Sequence, residues 1–401
     1  MTVATFSLRR LGLKNYRSIG SCDLELGPLA IFVGQNGAGK SNILDSLRFI
    51  RQALEENLSR AVSERGGIAG VRRRSAGSPT DFTISLEFSS GKFSGVYEVR
   101  IGTTDDGGIG VAREVCRISS SDPEGADGED HFYELRNGRA VRSSESRLPR
   151  TAVDRLALVA LSGLEEFRPV YDGLAGMEVF NPSPEAMRRP QVPTPGEPLR
   201  RDGSNVASVL ERLRHSNPKT EQRVEEYLRA IVPGTRSVRS SAMSGWETLE
   251  FQQDVSGSAG PWSFPASAVS DGTLRALGVL VALFAGTGGV LSPVGVEEPE
   301  IALHPAAAGI LLDAIRDASE HRQVLLTTHS PDLLDSSTIL PGELFAVRSV
   351  GGTTEAGHPD AAARLAFNES LFTAGELLRA DQFQPEPEKP YPDDCPSGCG
   401  S

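Results

Sequence analysis

The residues from Gly34 to Ser41 have the types and spacing of a loop that holds phosphates, because they fit the pattern G-x-x-x-x-G-K-S. Glycines let consecutive backbone N–H groups curl around a β-phosphate, and a helix N-terminus adds partial positive charge. Lys40 is expected to reach the β- and γ-phosphates, and the hydroxyl of Ser41 to ligate Mg²⁺. The predicted nucleotide-binding residues are Gly34, Gln35, Asn36, Gly37, Ala38, Gly39, Lys40, Ser41 and Asn42.

The alternative for this loop is a glycine-rich turn that binds nothing. The wholly apolar run Leu29–Val33 before it is typical of a buried central strand. After it, apolar residues from Ile43 to Leu54 recur at helical spacing. Strand, loop and helix together favour the phosphate site, with ATP and Mg²⁺ as the implied ligands.

Two adjacent carboxylates, Glu297 and Glu298, end a short apolar run that begins at Val294. At the carboxyl end of a strand, one acid can hold the Mg²⁺ shell while the next positions an attacking water. Neighbouring strand residues point to opposite faces, so the pair can serve both roles only where the strand ends. Pro299 is expected to keep Glu298 extended. A solvated acidic turn is the alternative, and this segment alone does not decide between the two.

His329 follows another buried-type strand, Val324–Thr328. A histidine at this place can donate to a γ-phosphate, or it can have a purely structural capping role. The order along the chain, acidic pair, then the predicted helix 305–321, then His329, favours the phosphate contact.

Ser270, Asp271 and Gly272 open an apolar helix that runs from Leu274 to Phe284. Ser270 or Asp271 is an ordinary helix N-cap in the simplest interpretation. The functional alternative is a second helix N-terminus that faces a phosphate.

The remaining chain must position these groups. Apolar and polar residues alternate between residues 82 and 101, and Asn137-Gly138 is typical of a hairpin turn, so we predict an antiparallel β layer. Apolar spacing predicts helices over about residues 151–170 and 205–231, with a Pro- and Arg-rich loop at 181–203. We therefore divide the chain into four parts: an N-terminal lobe (1–150), a helical and loop insertion (151–262), a C-terminal lobe (263–380) and a disordered tail (381–401).

The composition is that of a globular protein of 401 residues with a net charge of −12. This charge argues against indiscriminate coating of nucleic acid, although a local basic groove stays possible. The uncharged stretch from Ala276 to Val296 is long enough for a membrane span. Glycines, Ser292 and Pro293 interrupt it, so a helix followed by a buried strand is favoured and no membrane contact is expected.

The four cysteines are scattered through the chain, at Cys22, Cys116, Cys395 and Cys399. This pattern argues against a disulfide scaffold and fits a reducing cytoplasm. Cys395 and Cys399 have no histidine or second cysteine pair near them, so a zinc site is not expected. The first ten residues contain no apolar core of a secretory signal.

The order of these motifs resembles the ABC ATPase superfamily, and more closely the stand-alone ATPases related to recombination protein F and to chromosome-maintenance (SMC-like) heads. The resemblance rests on five sequence motifs: Asn15-Tyr16-Arg17-Ser18, Gly34 to Ser41, Ser270 to Arg275, Glu297-Glu298-Pro299-Glu300 with His304-Pro305, and Thr328-His329-Ser330-Pro331. The resemblance implies an α/β P-loop NTPase fold of the ABC-head type, with an antiparallel β layer and a helical insertion.

The resemblance also implies roles for the site residues. Glu298 would be the general base, His329 would sense the γ-phosphate, and Lys40 would complete the catalytic set. Ser41 and Glu297 would hold Mg²⁺. Ser270, Asp271 and Gly272 would bind the γ-phosphate held by a partner copy, which implies a homodimer that forms with ATP.

The chain departs from the superfamily pattern at three points. Glu297 stands where most members have Asp, and Asp271 stands where many have Gly. The usual Q-loop residue cannot be placed.

Two function classes remain open. Residues 42–269 separate the P-loop (residues 34–41) from residues 270–272, which we call the signature, and this separation is longer than in a transporter subunit. Residues 330–401 are expected to be too few for the nuclease domain of the related overcoming-lysogenization-type nucleases. The first class is an ATP-hydrolysing switch in DNA repair, DNA maintenance or anti-phage defence, with a possible separate effector protein. The second is a regulator that uses ATP only to set its dimer state.

Three arginine clusters have two possible interpretations. They either form a groove for DNA phosphates or lie on solvated loops, and they are Arg72-Arg73-Arg74, Arg188-Arg189 and Arg200-Arg201.

Overall fold

A computed structural model of the chain describes residues 5–74, 80–91, 93–104, 107–120, 130–286 and 289–386. Its strands are β1 (Phe6–Tyr16), β2 (Ile19–Glu25), β3 (Leu29–Val33), β4 (Asp81–Ser90), β5 (Phe93–Thr103), β6 (Ile109–Ser120), β7 (His131–Arg136), β8 (Arg139–Ser143), β9 (Glu178–Phe180), β10 (Thr235–Met243), β11 (Trp246–Gln253), β12 (Trp262–Pro265), β13 (Val294–Glu297), β14 (Val324–Thr328), β15 (Leu344–Val350) and β16 (Thr353–Gly357).

The helices are mostly short. They are α1 (Lys40–Glu55), α2 (Leu58–Ser63), α3 (Ile68–Val71), α4 (Ala157–Leu161), α5 (Arg168–Ala175), α6 (Pro184–Arg188), α7 (Val206–Ser216), α8 (Pro218–Ile231), α9 (Asp271–Phe284), α10 (Ala308–Ser319), α11 (Pro331–Leu334), α12 (Ala361–Asn368) and α13 (Ala374–Arg379). Three 3₁₀ turns, Ala266–Ala268, Pro305–Ala307 and Pro341–Glu343, complete the regular structure.

One mixed sheet of 13 strands organises the molecule, in the order β8-β7-β6-β5-β4-β1-β2-β16-β15-β3-β14-β13-β9. Strands β15, β3, β14, β13 and β9 are parallel, so their carboxyl ends meet at one edge of the sheet. The predicted antiparallel layer is present as β1, β2 and β4 to β8, and it joins the parallel part edge to edge through β16 beside β2. The α/β fold class is confirmed.

The central strand β3 separates two apolar cores. Ala30 and Phe32 face the core shared with β1, β4, β5 and α1, whereas Leu29, Ile31 and Val33 face the core under α8, α9 and α10. Successive strand residues point to opposite faces. A strand covered on both faces must therefore be apolar throughout, as β3 is.

The inserted segment differs from its prediction in two ways. Helices α7 and α8 lie where one helical region was expected, but only the short α4 and α5 occupy the predicted helix 151–170. A separate three-stranded sheet, β10-β11-β12, was not predicted at all. Residues from Leu156 to Val179 pack in the core of the N-terminal strands, and β9 extends the parallel sheet, so a boundary at 150 does not separate two cores.

The two remaining segment predictions had different outcomes. Within the uncharged stretch, the favoured helix and strand are present as α9, which ends at Phe284, and β13, which begins at Val294, and no helix among the described residues is long and apolar enough to cross a membrane. The predicted disorder is wrong for residues 381–386, because Phe383 is buried and Pro385 pairs with Pro359. Residues 387–401, with Cys395 and Cys399, lie outside the described part, while Cys22 and Cys116 are buried.

Candidate active site

The P-loop connects β3 to α1, and its glycines are required by close backbone approaches. A Cβ atom on Gly34 would lie 2.0 Å from the carbonyl oxygen of Val347 on β15. A Cβ on Gly39, whose φ is +103°, would lie 2.0 Å from Oγ1 of Thr354 on β16. The Thr354 hydroxyl donates to the carbonyl of Ala38 at 2.9 Å. Strands β15 and β16 therefore pack directly against the backbone of the loop and fix its curvature.

Lys40 is the first residue of α1, and its ammonium group is turned into the loop. Nζ donates to the carbonyl oxygens of Gly34 at 2.7 Å and Gln35 at 3.0 Å. The residue is 4% exposed, and burial is the main cause that lowers the pKa of the Lys40 ammonium, with Glu298 and Glu300 acting in the opposite direction. The carboxylate of Glu298 is 3.9 Å away. A buried cation thus faces an acid across the mouth of the loop.

The other predicted P-loop residues differ in exposure. Gln35, Asn36, Gly37 and Ser41 are exposed, so they are accessible to a ligand. The Asn42 amide donates to the hydroxyl of Ser18 at 2.6 Å, and Ser18 bonds in turn to Thr354. Asn42 therefore ties the first turn of α1 to β16.

Glu297 is the last residue of β13, so the acidic pair lies where the strand ends, as predicted. The expectation that Glu298 is extended is wrong: its φ is +44°, in the left-handed region. The backbone N–H of Glu298 donates to the carbonyl of Thr327 at 2.9 Å, and its carbonyl accepts from Arg275 at 2.9 Å. These two bonds hold a conformation that a non-glycine residue rarely adopts, and such strain is typical of functional sites.

Arg275 of α9 is a buried residue that holds the backbone of both acids. Its Nη2 donates to the carbonyls of Glu297 and Glu298, each at 2.9 Å, and to Oδ1 of Asn181 at 3.1 Å. Burial lowers the pKa of the guanidinium, while the nearby glutamates counteract that effect. Asn181 directly follows β9 at the carboxyl edge, beside β13.

His329 follows β14 and reaches the acidic pair. Its Nδ1 lies 3.3 Å from Oε1 of Glu298 and 4.0 Å from Oε1 of Glu300. Glu300 accepts from the hydroxyl of Thr328 at 2.6 Å, and burial raises the pKa of its carboxyl. Within the described residues, Nδ1 of His329 and Oε2 of Glu300 make no hydrogen bond. The structure thus brings Lys40, Glu298 and His329 together and adds Glu300 beside them.

The signature lies on the surface at the start of α9. The Ser270 hydroxyl accepts from the backbone N–H of Thr273 at 3.2 Å, so Ser270 is the N-cap of the helix. A Cβ on Gly272 would lie 2.3 Å from the carbonyl of Ala302, which accounts for the glycine without any ligand. The exposed Asp271 pairs with Arg188 at 2.6 Å. That pairing offsets the negative charge by which this signature departs from the superfamily pattern.

Glu297, the predicted Mg²⁺ ligand, has a partner that the sequence did not reveal. Nη2 of Arg201 lies 2.6 Å from Oε1 of Glu297. No sequence signal identifies this contact, since Arg201 is 96 residues away in a segment whose pattern indicates a loop. Glu300 and Arg275 do stand in the motifs Glu297-Glu298-Pro299-Glu300 and Ser270 to Arg275 that carry the resemblance, so those two could have been selected from the sequence.

The arginines proposed as a DNA groove mostly have partners inside the chain. Arg188, Arg189, Arg200 and Arg201 each pair with a carboxylate. Arg72 and Arg74 donate to backbone carbonyls, and Arg73 donates to the hydroxyl of Thr353 beneath the P-loop. This arrangement favours the solvated-loop interpretation for the four paired residues.

The family model described as "AAA domain, putative AbiEii toxin, Type IV TA system" matches residues 29–170 and 178–335, which is more than half of the chain. The chain belongs to this family. Over 43 residues, or 11% of its length, it is 49% identical to an OLD nuclease of Thermus scotoductus, of which the match covers 8%. Over 70 residues, or 16%, it is 37% identical to the DNA replication and repair protein RecF of Brucella abortus, of which the match covers 18%. The matches span less than a fifth of these curated relatives.

Solved structures show the fold. An Smc head domain with an extended coiled coil, bound to the C-terminal domain of ScpA and derived from Pyrococcus furiosus, aligns with a TM-score of 0.55. The alignment covers 92% of this chain and 100% of that one at 12% identity. An SmcHead bound to the C-winged helix domain of ScpA aligns with a TM-score of 0.52 over 89% and 99%, at 15% identity. The predicted resemblance to RecF- and SMC-like ABC-type P-loop ATPases is confirmed.

Proposed function

We propose that this protein binds ATP with Mg²⁺, hydrolyses it, and pairs with a second copy of itself while ATP is bound. The observation that carries the proposal is the meeting of Lys40, Glu298 and His329 at the carboxyl edge of the parallel strands, with Oε1 of Glu298 3.9 Å from Lys40 Nζ and 3.3 Å from His329 Nδ1. Three elements far apart in the sequence each deliver one polar group to this place. Mg²⁺-dependent release of phosphate by the purified protein, compared between wild type and Glu298→Gln, tests the proposal.

The residues present fit a nucleotide with its metal. The loop can pack against β15 and β16 only because Gly34 and Gly39 lack a Cβ, and Lys40 donates to loop carbonyls that a phosphate chain can replace as its partners. Ser41 and Glu297 would hold Mg²⁺, which when bound would supply positive charge to the phosphates. Oε2 of Glu300 is buried without a hydrogen bond in the described structure, and it offers a further acceptor for a water beside the acids.

Hydrolysis needs one proton acceptor for the attacking water, and Glu298 is placed to be it. The water oxygen attacks the γ-phosphorus, Glu298 takes a proton from that water, and the bond to the oxygen bridging the β- and γ-phosphates breaks, so ADP and phosphate leave. Lys40 stabilises the negative charge that moves to the bridging side. His329 orients Glu298 and donates to the γ-phosphate from the same side of the site.

Pairing with a second copy is supported by the exposed signature. Ser270 and Asp271 are on the surface, and Ile301, an apolar residue 40% exposed, stands next to Ala302, whose carbonyl touches Gly272. The N-terminus of α9 can therefore supply N–H groups and partial positive charge to a phosphate on another molecule. Closure around ATP would bury this surface, and loss of the γ-phosphate would open the pair.

The process in which such a switch acts is also a proposal. The local identities to a DNA replication and repair protein and to a nuclease favour DNA repair, DNA maintenance or anti-phage defence in the cytoplasm, with a separate effector protein as a further partner. The alternative is a regulator with slow or no hydrolysis. Replacing Glu298 distinguishes the two, because a protein that only binds ATP does not need a positioned base. In such a regulator, loss of the Glu298 carboxylate would leave the function of the protein unchanged.

A further inference from the structure

The carboxylate of Glu297 is held by an arginine from the inserted segment. Nη2 of Arg201 lies 2.6 Å from Oε1 of Glu297, which is hydrogen-bond distance for a charge-assisted pair. The Glu297 side chain is 13% exposed and that of Arg201 is 43% exposed. The guanidinium therefore occupies Oε1 of a carboxylate that is otherwise nearly buried.

The backbone on both sides of Arg201 is fixed, so its contact is not that of a loose surface loop. The N–H of Asn181 donates to the carbonyl of Arg201, and the N–H of Ser183 donates to the carbonyl of Asp202, each at 2.9 Å. Gly203 has a φ of +74°, and the place of a Cβ there lies 3.0 Å from Sδ of Met187. We call residues 181–183 and 200–203 together the arginine ribbon.

The ribbon is joined to the acidic pair at a second point. Arg275 donates through Nη1 to the carbonyl of Pro182 at 2.6 Å and through Nη2 to the carbonyls of Glu297 and Glu298. Both the side chain and the backbone of Glu297 are thus connected to the ribbon. Arg200, the neighbour of Arg201, is not part of this connection, because it pairs with Glu197 at the surface with both side chains 51% exposed.

A guanidinium and a divalent cation compete for this carboxylate. Mg²⁺ binds oxygen ligands at about 2.0–2.1 Å and tolerates little distortion of its octahedral shell. A guanidinium nitrogen 2.6 Å from the same oxygen would lie within the repulsive range of that charge. We propose that Arg201 competes with Mg²⁺ for Glu297, so that binding of Mg²⁺ with nucleotide releases Arg201 and loosens the arginine ribbon. This inference rests on the proposed function, in which Glu297 is a Mg²⁺ ligand.

The consequence is a link between metal occupancy and the insertion. Released from Glu297, the ribbon loses its direct contact with that side chain and keeps its backbone bonds, its bonds to Arg275 on the signature helix α9 and the surface pair of Arg200 with Glu197. The inserted segment would then differ in mobility between the nucleotide-bound state with Mg²⁺ and the one without it.

Binding of a fluorescent ATP analogue, mant-ATP, at increasing Mg²⁺ concentration tests the competition. In Arg201→Gln, the Mg²⁺ concentration at half-maximal binding should fall roughly fivefold to tenfold, the effect of removing one partly exposed charge-assisted bond. Binding in EDTA should stay as in the wild type, and the matched control Arg200→Gln should leave the Mg²⁺ dependence unchanged. An unchanged or higher Mg²⁺ requirement in Arg201→Gln would overturn the inference. No binding by the wild type at any Mg²⁺ concentration would instead overturn the proposed function and this inference with it.

Hydrogen exchange in the wild-type protein gives a second readout that needs no variant. The backbone amides of Asn181 and Ser183 should exchange faster with mant-ATP and Mg²⁺ than with mant-ATP and EDTA, because their acceptors are the carbonyls of Arg201 and Asp202. Equal exchange of both amides in the two conditions would show that the ribbon does not respond to the metal, and would overturn its release.

Discussion

Nδ1 of His329 lies 3.3 Å from Oε1 of Glu298, although the two residues follow different strands and are separated by helix α10. The same carboxylate oxygen is 3.9 Å from Nζ of Lys40. Glu298 therefore lies between two nitrogen groups that approach from neighbouring strand ends. An acid held between two such groups is well placed to act on a phosphate bound to the P-loop.

Replacing this acid should separate nucleotide binding from turnover. Glu298→Gln keeps the size and the backbone bonds of the residue but removes the proton acceptor, so turnover should fall roughly 10²- to 10⁴-fold while ATP affinity stays close to wild type. Phosphate release and mant-ATP binding measure the two quantities. The exposed Glu320→Gln serves as the control and should change neither. Equal turnover in Glu298→Gln and wild type would contradict the assignment of Glu298 as the base.

Lys40 should be required for binding itself. Lys40→Ala removes the only charge that faces the phosphates from within the loop, so affinity for ATP should weaken by roughly two orders of magnitude or more. Because Lys40 is buried, the thermal unfolding of the variant has to be measured beside its nucleotide binding. Lys219→Ala, at an exposed lysine on α8, is the matched control. Binding by Lys40→Ala at wild-type affinity would show that the loop does not hold the phosphates.

A buried carboxyl outside the site should make the stability depend on pH. Glu114 on β6 accepts hydrogen bonds from the hydroxyls of Tyr97 and Tyr133 and from the backbone N–H groups of Ala157 and Leu158. Burial raises the pKa of the Glu114 carboxyl above its ordinary value of 4.5. The folded state therefore favours the protonated form. The stabilising contribution of Glu114 is complete below pH 4.5 and is lost as the pH rises through the raised pKa.

Urea unfolding of wild type and Glu114→Gln from pH 4.5 to 8 tests this dependence. The free energy of unfolding of the wild type should fall relative to that of the variant as the pH rises, by up to about 1.4 kcal/mol for each pH unit within the titration range. Subtracting the free energy of unfolding of the variant from that of the wild type cancels the contributions of the other carboxyl groups. A difference that stays constant over the whole range would show that Glu114 titrates alike in the folded and unfolded chain.

The sequence predicted the parts of the site that depend on local pattern. The glycine spacing of the P-loop, the strand before it and the helix after it lie within one short segment, so the pattern contains all the information needed. The order of the acidic pair and His329 could be interpreted because parallel strands bring their carboxyl ends to one edge. The hairpin of β10 and β11, outside the site, was not predicted although it had a local signal: Ser244-Gly245, both at positive φ, is a turn pair that indicates two strands.

Other parts of the site depend on contacts between distant residues. Arg201 reaches Glu297 across 96 positions, and Arg275 reaches Asn181 across 94. Periodicity does not distinguish an arginine that pairs with a site carboxylate from its neighbour Arg200, which pairs at the surface. The left-handed backbone of Glu298 was also not predictable, because it is imposed by its bonds to Thr327 and Arg275.

The last prediction concerns the pairing of two copies. In the proposed switch, Lys40 and Ser41 of the P-loop contact the phosphates bound to their own chain, and the exposed N-terminus of α9 at Ser270 faces the nucleotide of the second copy. Glu298→Gln should therefore accumulate as a dimer with ATP and as a monomer with ADP. Light scattering coupled to size exclusion measures the mass.

Adding Ser270→Arg to Glu298→Gln should abolish the ATP-dependent dimer, because it places a bulky side chain at the seam and removes the cap of α9. Ser256→Arg, in an exposed turn, adds the same side chain elsewhere and should leave the dimer intact. Both double variants should bind mant-ATP, which shows that their P-loops are folded. If ATP holds the pair closed, as proposed, the change of mass has to follow the nucleotide. The same mass with ATP, with ADP and without nucleotide, whether monomer or dimer, would contradict an ATP-driven switch.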